Sequence, residues 1–202
     1  MNESPPRYEY RSFAQQFGRI EYELRERAGA PEIRESTEVY FVARASDVNV
    51  KLRAGMVDIK ERIAVERGLE QWRPALKLAL PLAGEALRTQ LLPALGVQTA
   101  VSFPEEIDEQ ALRAVLRESA PDVVAVDLFK RRFGFQLETV QAEVVEVLVN
   151  GAAVRSVCVE GVDADEVLVF SEALGLLAYG NINYVAALKR ITGLAAEPSF
   201  RA

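Results

Sequence analysis

Period-two alternation runs through this chain, and on one strand after another the polar parity is filled with bases. In "NVKLRAGMVDIKER" (49–62) Val50, Leu52, Val57 and Ile59 share one face. Lys51, Arg53, Asp58, Lys60 and Arg62 take the other, around a turn at Ala54-Gly55. "RYEYRSF" (7–13) sets Arg7, Glu9 and Arg11 against Tyr8 and Tyr10, "DVVAVDLFKRRFGFQLE" (122–138) offers Lys130 and Arg132, and "AAVRSVCVEGV" (152–162) pairs Cys158 with Glu160 on one parity. A strand of this kind must bury one side, so the charged side defines the problem.

The remaining segments supply more strands and the helices to cover them. "TEVYFVAR" (37–44) and "VQAEVVEVLVNG" (140–151) read as strands, the second closing on an Asn150-Gly151 hairpin turn, and "PALKLALPL" (74–82) as a short strand bounded by prolines. Helical spacing covers 14–29, 83–96, 104–119, 163–177 and 181–193, with the acidic cluster "EEIDE" (105–109) placed to complement a helix dipole. No repeat, low-complexity tract or long linker divides the 202 residues, so the expectation is one α+β domain over 1–202.

Two arrangements satisfy the faces. The charged parities are either solvated outer faces of an antiparallel sheet, or they curve toward each other as the lumen of a barrel with helices outside. Solvated faces ordinarily mix signs, whereas here the acids concentrate on the helices and the bases on the strands. That bias favours the lumen, where converging bases need an anionic ligand or carboxylates to offset them.

Composition narrows the chemistry. The net charge of −6 excludes a generally basic nucleic-acid binder, and no apolar run is long enough to span a bilayer. The N-terminal "MNESPPRYEY" lacks the basic-then-apolar pattern of a secretory signal, so the expected location is cytoplasmic. With no histidine in the chain, Ser-His-Asp triads, Cys-His pairs and His-bound zinc are excluded. The single cysteine, Cys158, cannot form an intramolecular disulfide and reads as an inert strand residue.

In order along the chain, these motifs resemble the CYTH domains, or triphosphate tunnel metalloenzymes, as a divergent member. "RYEYR" (7–11) is similar to that family's opening ExExK strand, with Glu9 kept. "EVYF" (38–41) resembles its Tyr-Phe strand, and Lys51, Arg53 and Lys60 its basic hairpin. "FKRRF" (129–133), "AEVVEV" (142–147), "CVE" (158–160) and "NYVAALK" (183–189) resemble its later basic, acidic and ExE strands and its terminal helix. The resemblance implies a closed eight-stranded antiparallel tunnel that binds inorganic triphosphate, a nucleotide or polyphosphate, with Mg²⁺ or Mn²⁺. It implies Glu9, Glu146 and Glu160 as metal ligands or their supports, and Lys51, Arg53, Lys60, Arg132 and Lys189 as a phosphate clamp. The face reading adds Arg11, Arg62 and Lys130 to the clamp. Glu143 competes with Glu146 for the inward position.

The departures bear on activity. Arg7 and Cys158 stand where the family carries Glu, and both changes remove negative charge from the metal end. The expectations are therefore a metal-dependent triphosphatase or, alternatively, a non-catalytic polyanion-binding module in which Arg7 pairs with Glu9 or Glu160.

Overall fold

A computed structural model describes residues 5–195 of the chain. Eight strands form one closed antiparallel barrel: β1 (Arg7–Ala14), β2 (Glu32–Ala43), β3 (Ser46–Arg53), β4 (Met56–Glu66), β5 (Leu69–Ala79), β6 (Val123–Gln136), β7 (Gln141–Val149) and β8 (Ala152–Gly161). Their order around the barrel is β1-β5-β4-β3-β2-β6-β7-β8, and β1 closes the ring by pairing with both β5 and β8. Every strand therefore has a neighbour on both sides, although Glu32 to Glu38 of β2 pair only with β6 and Arg73 to Ala79 of β5 only with β4. The fold class is α+β, with the helices outside the barrel or covering it: α1 (Ile20–Ala28), α2 (84–94, including a π-helical stretch at Leu87–Leu91), α3 (Glu109–Ser119), α4 (Ala164–Ala173) and α5 (Tyr184–Ile191). Among the described residues no helix is long and apolar enough to cross a membrane.

Tight turns set the strand pairing. The β3–β4 and β7–β8 hairpins turn through Ala54-Gly55 and Asn150-Gly151, with positive φ at both residues of each pair, as two-residue hairpin turns require.

Several element boundaries differ from expectation. Helix 14–29 begins at Ile20, since Phe13 and Ala14 continue β1 opposite Ser156 and Arg155. Helix 104–119 begins at Glu109. Ile107 is held extended by reciprocal backbone hydrogen bonds with Leu82, and Asp108 then caps the helix by accepting from the Ala111 N–H at 2.8 Å. Only Glu109 of the acidic cluster stands in the first helical turn. Helix 163–177 stops at Ala173 and is followed by Gly175 in the left-handed region. The 74–82 strand starts earlier, at Leu69, with register breaks beside Lys60 and Pro74 that accommodate the proline. The 37–44 strand also extends back to Glu32, paired along its whole length with β6.

Apolar residues form three clusters. On one outer face Phe41, Val50, Leu52, Val57 and Ile59 pack against Leu87, Leu91 and Leu92 of α2 and Leu112 and Leu116 of α3. On another, Tyr10, Val144, Val157 and Val159 meet Leu24 of α1 and Val167 of α4. The third cluster is inside the barrel: Phe13, Tyr40, Val42, Val126, Leu128, Val145 and Val147 pack with Tyr184, Val185 and Leu188 of α5. The interior is thus packed core over one part and polar over the other, which confines the expected basic lumen to part of the barrel's length.

Candidate functional site

The polar part is a cavity of about 490 Å³ lined by eight basic and four acidic side chains. Inward parity places Arg7, Glu9 and Arg11 of β1, Lys51 and Arg53 of β3, Asp58 and Lys60 of β4, Lys130 and Arg132 of β6, Glu143 of β7 and Glu160 of β8 on its wall. Lys77 of β5 lines it too, and its place between Leu76 and Leu78 was a readable alternation signal. The cavity contains two ion clusters of opposite design.

The first is centred on Glu38 of β2, a carboxylate with no exposed surface. Arg132 donates to it at 2.5 Å and Lys130 at 2.9 Å, while Lys51 and Arg53 each stand 3.7 Å away. Burial alone would raise the Glu38 carboxyl, but Lys130, Lys51 and Arg132 hold it far below the ordinary carboxylate range. Lys130 also donates to the Tyr40 hydroxyl at 2.9 Å and sits 3.6 Å from the Tyr184 ring centroid, an aromatic cage for a buried ammonium. Burial pushes the Lys130 ammonium well below its usual range despite Glu38. Lys51 is lowered to about 8, first by burial and then by Arg53, Lys60 and Arg132, against the pull of Glu38.

The second cluster is centred on Arg11. Its Nε and Nη2 donate to the two oxygens of Glu9 at 2.9 and 3.3 Å, Nη2 donates to Glu143 at 2.9 Å, and Nη1 to the Ser156 hydroxyl at 3.0 Å. Beside it Arg7 donates to Glu160 at 3.0 Å and to Gln141 at 2.7 Å. The expected Arg7 ion pair is present, with Glu160 as its partner. Burial opposes ionisation of Glu9, but Arg11, Lys60 and a hydrogen bond from Cys158 bring its pKa below the ordinary value. Glu160 is raised, by burial first and then by Glu9 and Glu143. Cys158 shares their inward parity and is buried, and its thiol is pushed well up, chiefly by burial.

Not all the expected site residues converge. Glu146 faces outward and pairs with Arg155 at 3.0 Å, because β7 runs without a bulge and parity gives the inward place to Glu143. Arg62 stands off the cavity wall, paired with Glu70 at 2.6 Å, and Lys189 is held by Asp47 at 2.8 Å and by the Arg44 carbonyl. Arg62 keeps the parity of Lys60, in one unbroken stretch opposite Pro74 to Trp72, but lies beyond the cavity wall, where Glu70 takes its charge. Arg53, Lys60 and Lys77 are the least compensated bases. Arg53 and Lys77 have only distant carboxylates, at 3.6 Å or more, and Lys60 forms no ion pair among the described residues. Glu38 was missed; as the one acid in "TEVYFVAR" (37–44), beside basic strands, it was an available signal.

The acidic side chains do not fit a divalent cation as they stand. Mg²⁺ and Mn²⁺ require several oxygen ligands free of competing donors. Glu9 and Glu143 already face one guanidinium, and Glu160 faces another. Among the described residues no group of three Cys, Asp or Glu side chains is arranged to hold a metal.

Fold and cavity together define a class: a closed antiparallel barrel with a net-cationic interior pocket and helices packed on its outer faces. Solved structures are similar to the chain in fold. The PH1012 protein from Pyrococcus horikoshii OT3 is similar at 18% identity, over 89% of this chain and 97% of that one, with a TM-score of 0.52. A conserved hypothetical protein from Pyrococcus furiosus is similar at 16% identity, over 89% and 98%, with a TM-score of 0.52. HpAC1 from Hippeastrum, provisionally assigned as an adenylyl cyclase and described as having a dominant triphosphatase activity, aligns at 10% identity over 96% and 98%, with a TM-score of 0.48. At these identities the likeness shows the fold alone. No family model and no curated protein matches the chain.

Proposed function

We propose that the cavity binds inorganic triphosphate or a related phosphorylated polyanion. The observation that carries this reading is the excess of cations on one concave wall: eight bases against four acids, or five with Glu38 behind them. Uncompensated ammonium and guanidinium groups held together repel one another and are stabilised by an anion that reaches several at once. Lys60, Arg53 and Lys77, the least compensated bases, are the groups that meet the ligand first, with Lys51 and Arg132 deeper. The ordered motifs that resemble the triphosphate tunnel family support the same ligand class. Metal-dependent hydrolysis is the second reading, and the arginine-occupied carboxylates favour binding over it.

The test is isothermal titration of the purified protein with inorganic triphosphate in chelator, alongside phosphate-release assays in Mg²⁺ and Mn²⁺. Binding that is weakened in Lys60→Ala, without turnover, is the expected result. Absence of binding to triphosphate, pyrophosphate and nucleoside triphosphates alike refutes the ligand class, and robust metal-stimulated release restores the hydrolase reading.

A further inference from the structure

We propose that Arg11 is a built-in cation that takes the place of a divalent metal between Glu9 and Glu143, so that this cavity works without metal, and that removing this one guanidinium creates a metal site. The inference deepens the binding reading and rests on it only for the identity of the anion.

Three carboxylates come from adjacent strands. Glu9 of β1 lies directly opposite Glu160 of β8, and Glu143 of β7 lies opposite Cys158, which in turn lies opposite Arg11. Carboxylates brought this close need a shared counter-charge. A guanidinium has five N–H donors, and four of those of Arg11 are directed at Glu9, Glu143 and Ser156. Its Cζ also lies over the Tyr184 ring, 4.8 Å from the centroid, a cation–π contact that helps hold it in place. Arg11 is buried, so it bridges two strands as a metal ion would, with directional hydrogen bonds replacing coordination. Little donor capacity is left for a phosphate, which separates Arg11 from Lys60 and Arg53 although all line one cavity. Position 158 completes the arrangement. A small neutral thiol there leaves space for the guanidinium and adds no further negative charge.

The test reads Mn²⁺ binding by electron paramagnetic resonance and by the Mn²⁺-dependent shift in Tm, without any phosphate ligand. Arg11→Gln should bind Mn²⁺ at least tenfold more tightly than the natural protein and should be restabilised by it. Arg11→Gln combined with Glu143→Gln should lose the gain. Arg11→Lys keeps the charge but cannot bridge both carboxylates, and should lie between. No gain in Arg11→Gln overturns the proposal. If that variant does not accumulate, the natural protein decides: Mn²⁺ binding that Glu9→Gln abolishes overturns the proposal, and its absence upholds it. In a parallel arm, triphosphate should bind in chelator, with no metal present. A protein that binds no triphosphate refutes the ligand reading, while the Mn²⁺ measurement still decides the role of Arg11.

Discussion

The two ion clusters in the barrel are inversions of one another. Around Glu38 a single carboxylate is surrounded by Lys130, Arg132, Lys51 and Arg53, whereas around Arg11 a single guanidinium is held by Glu9 and Glu143 with Glu160 alongside. Each places a lone charge among its opposites, and the outcomes differ because the ratios differ. The Glu38 cluster has cationic charge to spare and opens toward Lys60. The Arg11 cluster has its donors spent and is structural. Basic residues of one lumen therefore divide into those that can meet a ligand and those already committed to the protein.

The largest expected effect breaks the first cluster. Glu38→Gln leaves buried cations without their counter-charge and should cost about 3–5 kcal/mol in urea denaturation at neutral pH. Because the folded-state pKa of Glu38 is depressed, its stabilisation is complete above the ordinary value of 4.5 and is lost as pH falls below it. The gap between natural protein and variant should close on acidification. Equal stability at neutral pH would show that the four cations do not depend on Glu38.

Next come the bases with charge to spare. Lys60→Ala and Arg53→Ala should each weaken triphosphate binding by about 1.5–3 kcal/mol in calorimetric titration, while stability stays within about 0.5 kcal/mol. A matching loss of stability would move them into the structural class with Arg11.

A smaller effect separates the clusters by pH. Lys51 titrates near 8, and a polyanion favours its charged form. The affinity advantage of the natural protein over Lys51→Met should be full below that pH and decline above it as the proton leaves. Comparing the two proteins cancels the ligand's own titration, and an advantage that does not change between about pH 7 and about pH 9.5 would rule out contact between Lys51 and the ligand. The smallest effect is on the outside. Glu146→Gln removes only an exposed partner of Arg155 and should change stability by no more than about 0.5 kcal/mol, leaving affinity unaltered.

Much of this was legible in the residues. Strand alternation gave the inward parity of Arg7, Glu9, Arg11, Lys51, Arg53, Lys60 and Glu160 directly, since a side-chain period of two needs only the strand's phase. The Asn150-Gly151 turn was equally plain. Arg62 was misplaced although its parity matches that of Lys60, because it lies farther along β4, beyond the cavity, and Glu70 of the neighbouring strand takes its charge. Lys189 fell outside the cavity because its charge was taken by Asp47, a residue 142 positions away. Glu143 and Glu146 differ by an odd number of residues, so only one can face inward, and pairing with β6 and β8 decides which.

The sequence by itself determined that the strands must bury one face and gather bases on the other, because alternation and sign are local properties of the chain. It also determined that no histidine chemistry operates here. Only the tertiary structure decided which charges remain available. Arg11, Lys60 and Lys130 look alike as inward bases on strands, yet one is enclosed by carboxylates, one forms no ion pair among the described residues, and one is buried against Glu38 and two tyrosine rings. A charge is committed or free according to the groups within a few ångströms of it, and in a closed barrel those groups come from strands far apart in the chain.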